Sequence, residues 1–521
     1  MEQKNISIPK EKFKFVNGED RIHDAKLETK AHSYFYDAFS RFCKNKGSVV
    51  GAIIIICLLL FAIIAPFCSQ YTVEYSDMTY AVSRPRAKLF ENTNFWDGCE
   101  ARTIGRQDLT YYLAMGEETG HNAIKNQEYS EVGDGLYSVR LDSVHKVGMK
   151  YKLFTGAEYE AIQQYQNATG KQVIYPYVSS KNRPQASQDN NDANYYFKTS
   201  GSGKTSIVYD DDGNIIPVYD SYTLREGEEP GQWDGYHSIR IEGDDGVVID
   251  GEVNYYTYAF QNQTGYECRI NYYEYYIYYH TQILQDGITE PYFIFGTTGG
   301  GKDIFTCLAS GARFSFIFAI SVAVVNLLIG AIYGSIEGYY GGKTDLIMER
   351  ISDILAAVPS MIVITLLKLH MGGSSQILVL FIAFFMTGWI GMASTTRMQF
   401  YRYKNQEYVL AARTLGARDR RIIWKHIFPN ALGTIVTSCA LVIPSMIFSE
   451  ANLSYLGIIN LSSGSITSVG TLISQGQGYL TTAPYMVLFP SIFLILMMLS
   501  FNLFGNGLRD AFNPSLRGSE G

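Results

Sequence analysis

An uncharged run from Gly47 to Val73 constrains this chain more than any other feature of its sequence. Its centre, Val49–Pro66, consists almost entirely of isoleucine, leucine, alanine, valine and phenylalanine. Since a helix rises about 1.5 Å per residue, such a run is long enough to cross a hydrocarbon core of about 30 Å. The sequence therefore predicts a first transmembrane helix, which we place at 47–68.

Five more uncharged runs follow in the second half of the chain. They are Phe314–Ile336, Ile354–Leu367, Leu369–Thr396, His426–Ser449 and Ala483–Phe504. With the first run they predict an α-helical polytopic membrane protein with six transmembrane helices. The third run is short, so we expect its ends to lie at the interfaces, with Lys368 extending outward along its aliphatic stem.

The segment 69–295 differs from the rest of the chain in composition. It contains 18 Lys+Arg and 33 Asp+Glu and so carries −15, whereas the remainder carries +8, which gives the net −7. It has no spanning run, it is rich in Tyr, Gly, Asn and Asp, and its 227 residues are enough for a domain. We expect a soluble, β-rich inserted domain over 69–295, which we call the insert.

Local patterns in the insert predict some of its elements. Ala157–Gln166 reads as a helix, and the tyrosine-rich Tyr255–Phe260 and Arg269–Tyr279 read as strands. Hairpin turns are expected at Asp212-Gly213 and at Asp245-Gly246.

The distribution of lysine and arginine predicts the orientation of the helices. Residues 1–46 contain ten of them, and eight lie between Arg397 and Lys425. Because cytoplasmic loops of membrane proteins are enriched in these residues, both segments are expected to be cytoplasmic. Six helices then place both termini, 1–46 and 506–521, in the cytoplasm and the insert outside. The aromatic residues near the end of the first tail favour an interfacial helix, although a docking helix for a partner is an alternative.

A basic, helix-prone segment, Glu407–Asn430, lies between two uncharged runs. Ala411, Ala412 and Leu415 share one side of a helix, and Gly416 permits a turn that a side chain would hinder. Asp419 is expected to cap a second short helix that ends before Pro429. Two small helices joined at a glycine would form a docking surface at the membrane.

Two features of the insert leave alternatives open. A tyrosine-dense region could be core packing, or it could expose a surface for a protein or peptide chain, through Tyr256, Tyr258, Tyr273, Tyr275 and Tyr278. Cys99 and Cys268 lie near the two ends of the insert and could form a disulfide, or they could be two reduced core cysteines.

The sequence contains no arrangement typical of an enzyme. Its seven cysteines show no metal-ligand spacing, and we find neither a Ser/His/Asp arrangement nor a nucleotide-binding motif. We therefore expect no catalytic residue, no metal site and no cofactor in this chain.

Several segments together resemble the permease subunits of ABC importers, in the form found in the dipeptide/oligopeptide family. Glu407–Asn430 resembles the EAA loop of that family, and the C-terminal segment resembles that of its second, C-type subunit. The resemblance extends over about 47–68 and 296–516, and its other segments are Gly296–Ile304, Gly311–Ser315, Gly338–Gly342 with Asp345 and Arg350, Asp353–Leu355 with Pro359, Glu450–Gly457 and Gly505–Leu516.

The resemblance implies a type I importer fold, with a permease core at 296–505 that includes a cytoplasmic coupling loop at 401–430. It implies as partners a homologous B-type permease subunit, two ATPase subunits that bind ATP and Mg²⁺, an extracytoplasmic peptide-binding protein and a peptide substrate, in a bacterial plasma membrane. The residues that would couple to the ATPases are Glu407, Ala411, Ala412, Arg413, Gly416, Arg420 and Pro429.

Three alternatives remain at this point. Within the superfamily the substrate could be nickel or another small solute, because substrate choice rests largely with the binding protein. The chain could instead be a surface receptor on a six-helix anchor, although such an anchor has no need of an EAA loop. For the arginines of the loop, ordinary positive-inside topology is the simpler interpretation.

Overall fold

The computed structural model describes residues 34–178, 193, 197–199, 205–207, 219, 221–223, 247–249, 252–261, 264–371, 376–461 and 467–512. Its α-helices are α1 Tyr34–Lys44, α2 Lys46–Cys68, α3 Arg106–Thr119, α4 Gly156–Thr169, α5 Tyr272–Tyr278, α6 Ile304–Tyr340, α7 Gly342–Ala356, α8 Ser360–His370, α9 Gln376–Thr387, α10 Trp389–Tyr403, α11 Glu407–Thr414, α12 Asp419–Arg421, α13 Phe428–Tyr455, α14 Val469–Gly476 and α15 Tyr485–Phe512. Its strands are β1 Cys99–Gly105, β2 Ile124–Gly133, β3 Leu136–Asp142, β4 Met149–Phe154, β5 Ile174–Tyr175, β6 Phe197–Thr199, β7 Thr205–Ile207, β8 Ser221–Thr223, β9 Val247–Ile249, β10 Glu252–Tyr256, β11 Ala259–Gln261 and β12 Tyr266–Asn271.

Five helical segments of the described residues are long and apolar enough to cross a membrane. They are Lys46–Cys68, Ile304–Tyr340, Gln376–Tyr403, Asp419–Tyr455 and Tyr485–Phe512. Apolar side chains of α2, α6, α13, α14 and α15 form one buried core, to which Ile55, Phe316, Ile447, Leu472 and Phe493 contribute.

The third predicted span is a bent pair of helices. We predicted one short helix over Ile354–Leu367, but α7 ends at Ala356, α8 begins at Ser360, and their axes meet at 68°. Pro359 lies at the break. Since the residue before a proline is disfavoured in the α conformation, this sequence separates the two helices. Counted as one broken span, the pair brings the total to six.

Helices α6 and α10 are the most closely packed pair. Gly330, Gly334 and Gly338 recur every fourth residue on α6 and face the backbone of α10. A Cβ atom at Gly334 would lie 2.1 Å from the carbonyl oxygen of Ala393. Only glycines allow this approach, so the two helices form a unit without side chains between their backbones.

The insert contains several small antiparallel sheets. One has the strand order β1-β3-β2 and packs against α3; another has the order β11-β12-β4, with β5 also paired to β12. Helix α4 confirms the predicted helix and begins with a capping box between Thr155 and Glu158. Both predicted hairpin turns lie outside the described residues; among those described, β7 pairs with β6 and β9 with β10.

The predicted strand Arg269–Tyr279 is wrong beyond Asn271. There the chain turns into α5, whose first turn is capped because the Asn271 side chain accepts a hydrogen bond from the N–H of Tyr273. Tyrosine favours strands because it suits a pleated, half-buried surface. In α5 the tyrosines are instead buried around a helix, and tertiary packing outweighs that preference.

The insert is attached to one end of the transmembrane helices, which we call the insert end. This end includes Cys68 of α2, Ile304 of α6 and Tyr485 of α15. The Trp96 ring stacks on Phe489 of α15, with centroids 5.6 Å apart, and Tyr485 donates a hydrogen bond to the Ser83 carbonyl at 2.9 Å. The opposite end of the helices contains Glu407–Asn430.

Candidate functional site

The segment Glu407–Asn430 folds as two short helices with a glycine between them. Helix α11 is followed by Gly416, whose φ of +80° lies in the left-handed region, and then by α12. The turn is closed by the Ala417 N–H, which donates to the Ala412 carbonyl at 3.0 Å. No atom lies within 4 Å of a Cβ built on Gly416. Backbone conformation, not space, therefore requires glycine here.

One face of this two-helix unit is buried, and the other is exposed. Val409, Ile422, Ile423 and Ile427 pack with Phe400 of α10 in a hydrophobic cluster. On the opposite face lie the predicted coupling residues: Glu407, Ala411, Arg413, Gly416, Arg420 and Pro429 are exposed, and Ala412 is half-buried. Leu415 is 88% exposed beside them.

Tyr339, at the end of α6, connects the two short helices. Its hydroxyl donates a hydrogen bond to Asp419 Oδ1 at 2.6 Å, and the Arg413 guanidinium lies 5.7 Å from the centre of its ring. The prediction that Asp419 caps the second helix is wrong, because the N-cap is Arg418 and makes no side-chain hydrogen bond. Asp419 instead fixes α12 to the transmembrane helix.

We predicted that the second short helix ends before Pro429, and this prediction is wrong. A π-helical turn, Ile422–Ile427, follows α12 directly and leads into α13, where Pro429 lies in the first turn. Proline is tolerated there because the first N–H groups of a helix have no partner within it. Helical structure is thus continuous from Asp419 to Tyr455.

An ion cluster beside this unit was missed in the sequence. Arg397 of α10 donates to Asp345 of α7 from Nε at 2.6 Å and to Glu349 from Nη1 at 2.8 Å. A third carboxylate, that of Glu337, lies 3.5 Å from Arg397 Nε. The spacing of Asp345 and Glu349, four residues apart on one helix, was the available signal, because it places both carboxylates on one face. Arg350 pairs with Asp353 at the exposed surface.

The tyrosines that could have formed a partner surface in the insert contribute to its core. Tyr258, Tyr275 and Tyr278 are 4%, 7% and 4% exposed and belong to one hydrophobic cluster. Tyr256 and Tyr273 are half-buried, and the Tyr273 ring packs against His145 with centroids 4.6 Å apart. These positions therefore do not form the exposed surface that we considered.

The disulfide that we considered between Cys99 and Cys268 is absent, and both are free thiols. Cys99 begins β1 of one sheet, whereas Cys268 lies within β12 of another and is buried. Burial raises the pKa of the Cys99 thiol to about 12, so this thiol stays protonated at neutral pH. Among the residues that the structure describes, no group of three or more His, Cys, Asp or Glu could hold a metal ion.

We predict that the insert loses stability in mild acid through His145. Burial lowers the pKa of this side chain to about 4 from its ordinary 6.5. Below pH 6.5 the unfolded chain takes up a proton that the folded chain does not, so stability falls as the pH drops from 6.5 to 4, by on the order of 3 kcal/mol.

Thermal unfolding of the full chain, followed by near-ultraviolet circular dichroism of its tyrosines between pH 8 and 4, measures this loss. His145→Phe keeps the ring stacking and is expected to flatten the decline. An equal decline in both proteins would contradict the assignment.

Comparison with known proteins identifies two regions. Residues 326–518 match the family described as binding-protein-dependent transport system inner membrane component. Residues 33–85 match the N-terminal transmembrane domain of oligopeptide transport permease C. The two matches lie on either side of residues 86–325, which contain most of the insert. Among solved structures, this chain is similar to a chain of the methionine ABC transporter MetNI in an inward-facing conformation. The match covers 40% of this chain and 96% of the MetNI chain, with a TM-score of 0.32 and 15% identity.

Relatives with similar sequences carry consistent names. The oligopeptide transport system permease protein OppC of Bacillus subtilis is 47% identical over 223 residues, which are 43% of this chain and 72% of that protein. The dipeptide transport system permease protein DppC of the same organism is 41% identical over 43% of this chain and 69% of its own length. OppC of Escherichia coli K12 is 38% identical over 43% of this chain and 72% of its own length. The chain is a multi-pass membrane protein with the type I ABC importer fold, and it belongs to the oligopeptide and dipeptide transport permease family.

Proposed function

We propose that this chain is the C-type transmembrane subunit of an ATP-driven peptide importer and forms half of its translocation pathway. The names of its relatives support a peptide substrate. The observation that carries the proposal is the two-helix unit at 407–421. It presents Glu407, Ala411 and Leu415 at the surface, at the end of the helices opposite the insert.

The partners follow from this assignment. A homologous B-type subunit completes the pathway, and two ATPase subunits bind ATP and Mg²⁺. An extracytoplasmic binding protein delivers the peptide. In this proposal the chain lies in a bacterial plasma membrane with both termini and the coupling loop 401–430 in the cytoplasm. The acidic insert lies outside, over the mouth of the cavity.

The contacts of the coupling loop supply a route for the motion. A force on α11 and α12 reaches α6 through the hydrogen bond between Tyr339 and Asp419. It reaches α10 through the packing of Val409 and Ile422 on Phe400. Because glycines hold α6 and α10 together without intervening side chains, the pair moves as one element. Closure of the ATPases would tilt this pair and open the cavity at the insert end.

The coupling role predicts that Gly416→Val uncouples ATP hydrolysis from transport. A β-branched residue at this positive φ costs roughly 1–2 kcal/mol in backbone strain and opens the turn. We expect peptide uptake into proteoliposomes that contain the complete complex to fall at least tenfold, with ATP hydrolysis retained but no longer stimulated by the loaded binding protein. Glu407→Lys, which reverses a charge on the exposed face, is expected to act in the same way.

Gly416→Asn is the matched control, because asparagine tolerates the left-handed conformation, and it should retain most of the uptake. Normal peptide-stimulated hydrolysis and uptake in Gly416→Val would count against the coupling role. Wild-type complex that takes up nickel or another small solute, but no peptide, would overturn the proposed substrate.

A further inference from the structure

The sheet β1-β3-β2 of the insert has two edge strands that differ in their protection. The register of β2 against β3 is interrupted twice, between Ile124 and Tyr129 and between Glu131 and Gly133. Asn126 and Gln127 in the first interruption have φ values of +55° and +56°. Bulges of this kind twist an edge and prevent another strand from pairing with it. The β2 edge is therefore blocked.

The β1 edge has no such interruption. Its pairing with β3 is continuous over all seven residues, from Cys99 opposite Asp142 to Gly105 opposite Leu136. Ala101, Arg102 and Thr103 at its centre are exposed. Among the described residues β1 has no strand partner besides β3. Proteins usually protect such a flat edge, so an open one is a site where an extended chain can add.

The hydrogen bonds at the two ends of β1 identify the backbone groups that face away from β3. Ser143 N–H donates to the Gly98 carbonyl, and Arg106 N–H donates to the Gly135 carbonyl. Even-numbered residues therefore bond to β3, because bonding alternates along an antiparallel strand. The N–H and C=O groups of Ala101 and Thr103 consequently point outward. At about 3.4 Å per residue, this edge fits an added strand of about three to five residues.

Charges around the same edge favour an anion. The carboxylate of Glu100 on β1 accepts a hydrogen bond from Arg84, and Arg102 Nε lies 3.3 Å from it. Burial alone would raise the pKa of Glu100, but the Arg84 hydrogen bond and the charges of Arg84, Arg102 and Lys146 lower it below its ordinary value. Three cations around one carboxylate leave a local excess of positive charge, in an insert whose net charge is −15.

The edge also lies beside the transmembrane helices. Arg84, which binds Glu100, donates from Nη2 to the Thr482 carbonyl at 2.9 Å. Its guanidinium lies 5.6 Å from the ring centre of Tyr485, the first residue of α15. One arginine side chain thus separates β1 from the insert end of the helices.

We propose that the β1 edge binds a short extended peptide with a free C-terminal carboxylate, which adds as a strand to the sheet before it enters the helices. The outward groups of Ala101 and Thr103 pair with the peptide backbone, and the cations around Glu100 attract the carboxylate. Backbone pairing suits a carrier of many sequences, because it does not depend on side chains. This inference rests on the proposed function and adds to it the place where the insert holds the substrate.

The test uses two substitutions that remove outward N–H groups. Ala101→Pro and Thr103→Pro delete these donors without touching the ladder to β3, a position in which edge strands tolerate proline. Thr103→Ala is the matched control, because it keeps the N–H. The probe is a pentapeptide with a photoreactive side chain, cross-linked to the full chain in lipid nanodiscs, as the free acid and as the C-terminal amide.

We expect each proline variant to reduce cross-linking to β1 at least tenfold, Thr103→Ala to leave it unchanged and the amide to cross-link several-fold less than the acid. Near-ultraviolet circular dichroism identical to that of the wild type shows that the insert remains folded. Equal cross-linking in all variants would overturn the inference. It would also be overturned if a binding protein or a second copy of this chain, instead of the peptide, were found in contact with β1.

The same variants are then assayed for uptake in the complete complex. If the wild-type complex imports peptide and both proline variants import it equally well, the β1 inference is wrong but the proposed function still holds. A wild-type complex that imports no peptide would refute the proposed function itself.

Discussion

Gly334→Ala is expected to abolish peptide uptake and to lower the thermal stability of the chain strongly. The added Cβ would lie 2.1 Å from the carbonyl oxygen of Ala393, a backbone atom that cannot move without shifting α10. Overpacking of this kind costs roughly 3 kcal/mol, and it separates the two helices through which we propose that motion passes from the coupling loop. Thermal unfolding of the purified chain and uptake by the reconstituted complex measure the two effects.

Gly391→Ala is the matched control, because Gly391 also lies within a helix but no atom lies within 4 Å of the position that its added methyl group would occupy. Alanine there is expected to be neutral or to stabilise α10 by up to about 1 kcal/mol, since glycine is the poorer helix former. If both substitutions had the same effect, close packing of α6 on α10 would not be the cause.

Arg397→Met is expected to destabilise the chain strongly. It leaves the carboxylates of Glu337, Asp345 and Glu349 together without their cation, and the Glu337 side chain is only 4% exposed. Removing one partner from a largely buried ion pair costs about 3 kcal/mol, mostly through the charge left behind. It would also release α7 from α10, next to the coupling loop. We expect a lower unfolding temperature and loss of coupled uptake.

Arg350→Met removes a charge from the same helix as Asp345 but from an exposed pair with Asp353, whose side chains are 69% and 57% accessible. A change within about 0.5 kcal/mol is expected, because exposed ion pairs contribute little. A stability loss for Arg397→Met that is no larger than that for Arg350→Met would show that the cluster is not structural.

The transmembrane core and the coupling loop could largely be predicted from the sequence, because both depend on local patterns. The absence of charge determines where a helix can cross lipid, and Gly416 allows the turn between the two short helices. Both features can therefore be located from the sequence alone. The break at Pro359 also has a local cause. Our prediction missed it because we weighed only the apolar run and its length.

Other features depend on which segments meet in space. The tyrosines of α5 favour a strand by their intrinsic preference, but they form a helix when they are buried on several sides. Cys99 and Cys268 are near the ends of the insert in sequence but belong to different sheets. Similarly, Arg397 is 48 residues or more from each of its carboxylates, and no helix-length pattern connects them. These contacts follow from tertiary packing and could be known only from the structure.

The stacking of Trp96 on Phe489, and the hydrogen bond from Tyr485 to Ser83, make the base of the insert continuous with α15. The insert is then a lever arm, whose far side travels farther than the helix end to which it is joined. If α15 tilts, the displacement increases with distance from the junction, so it is larger within the insert than at the helix end. If the insert lies outside the membrane, as we propose, spectroscopic labels on it would report the tilt of α15 during transport, and a binder that immobilises the insert would stop transport.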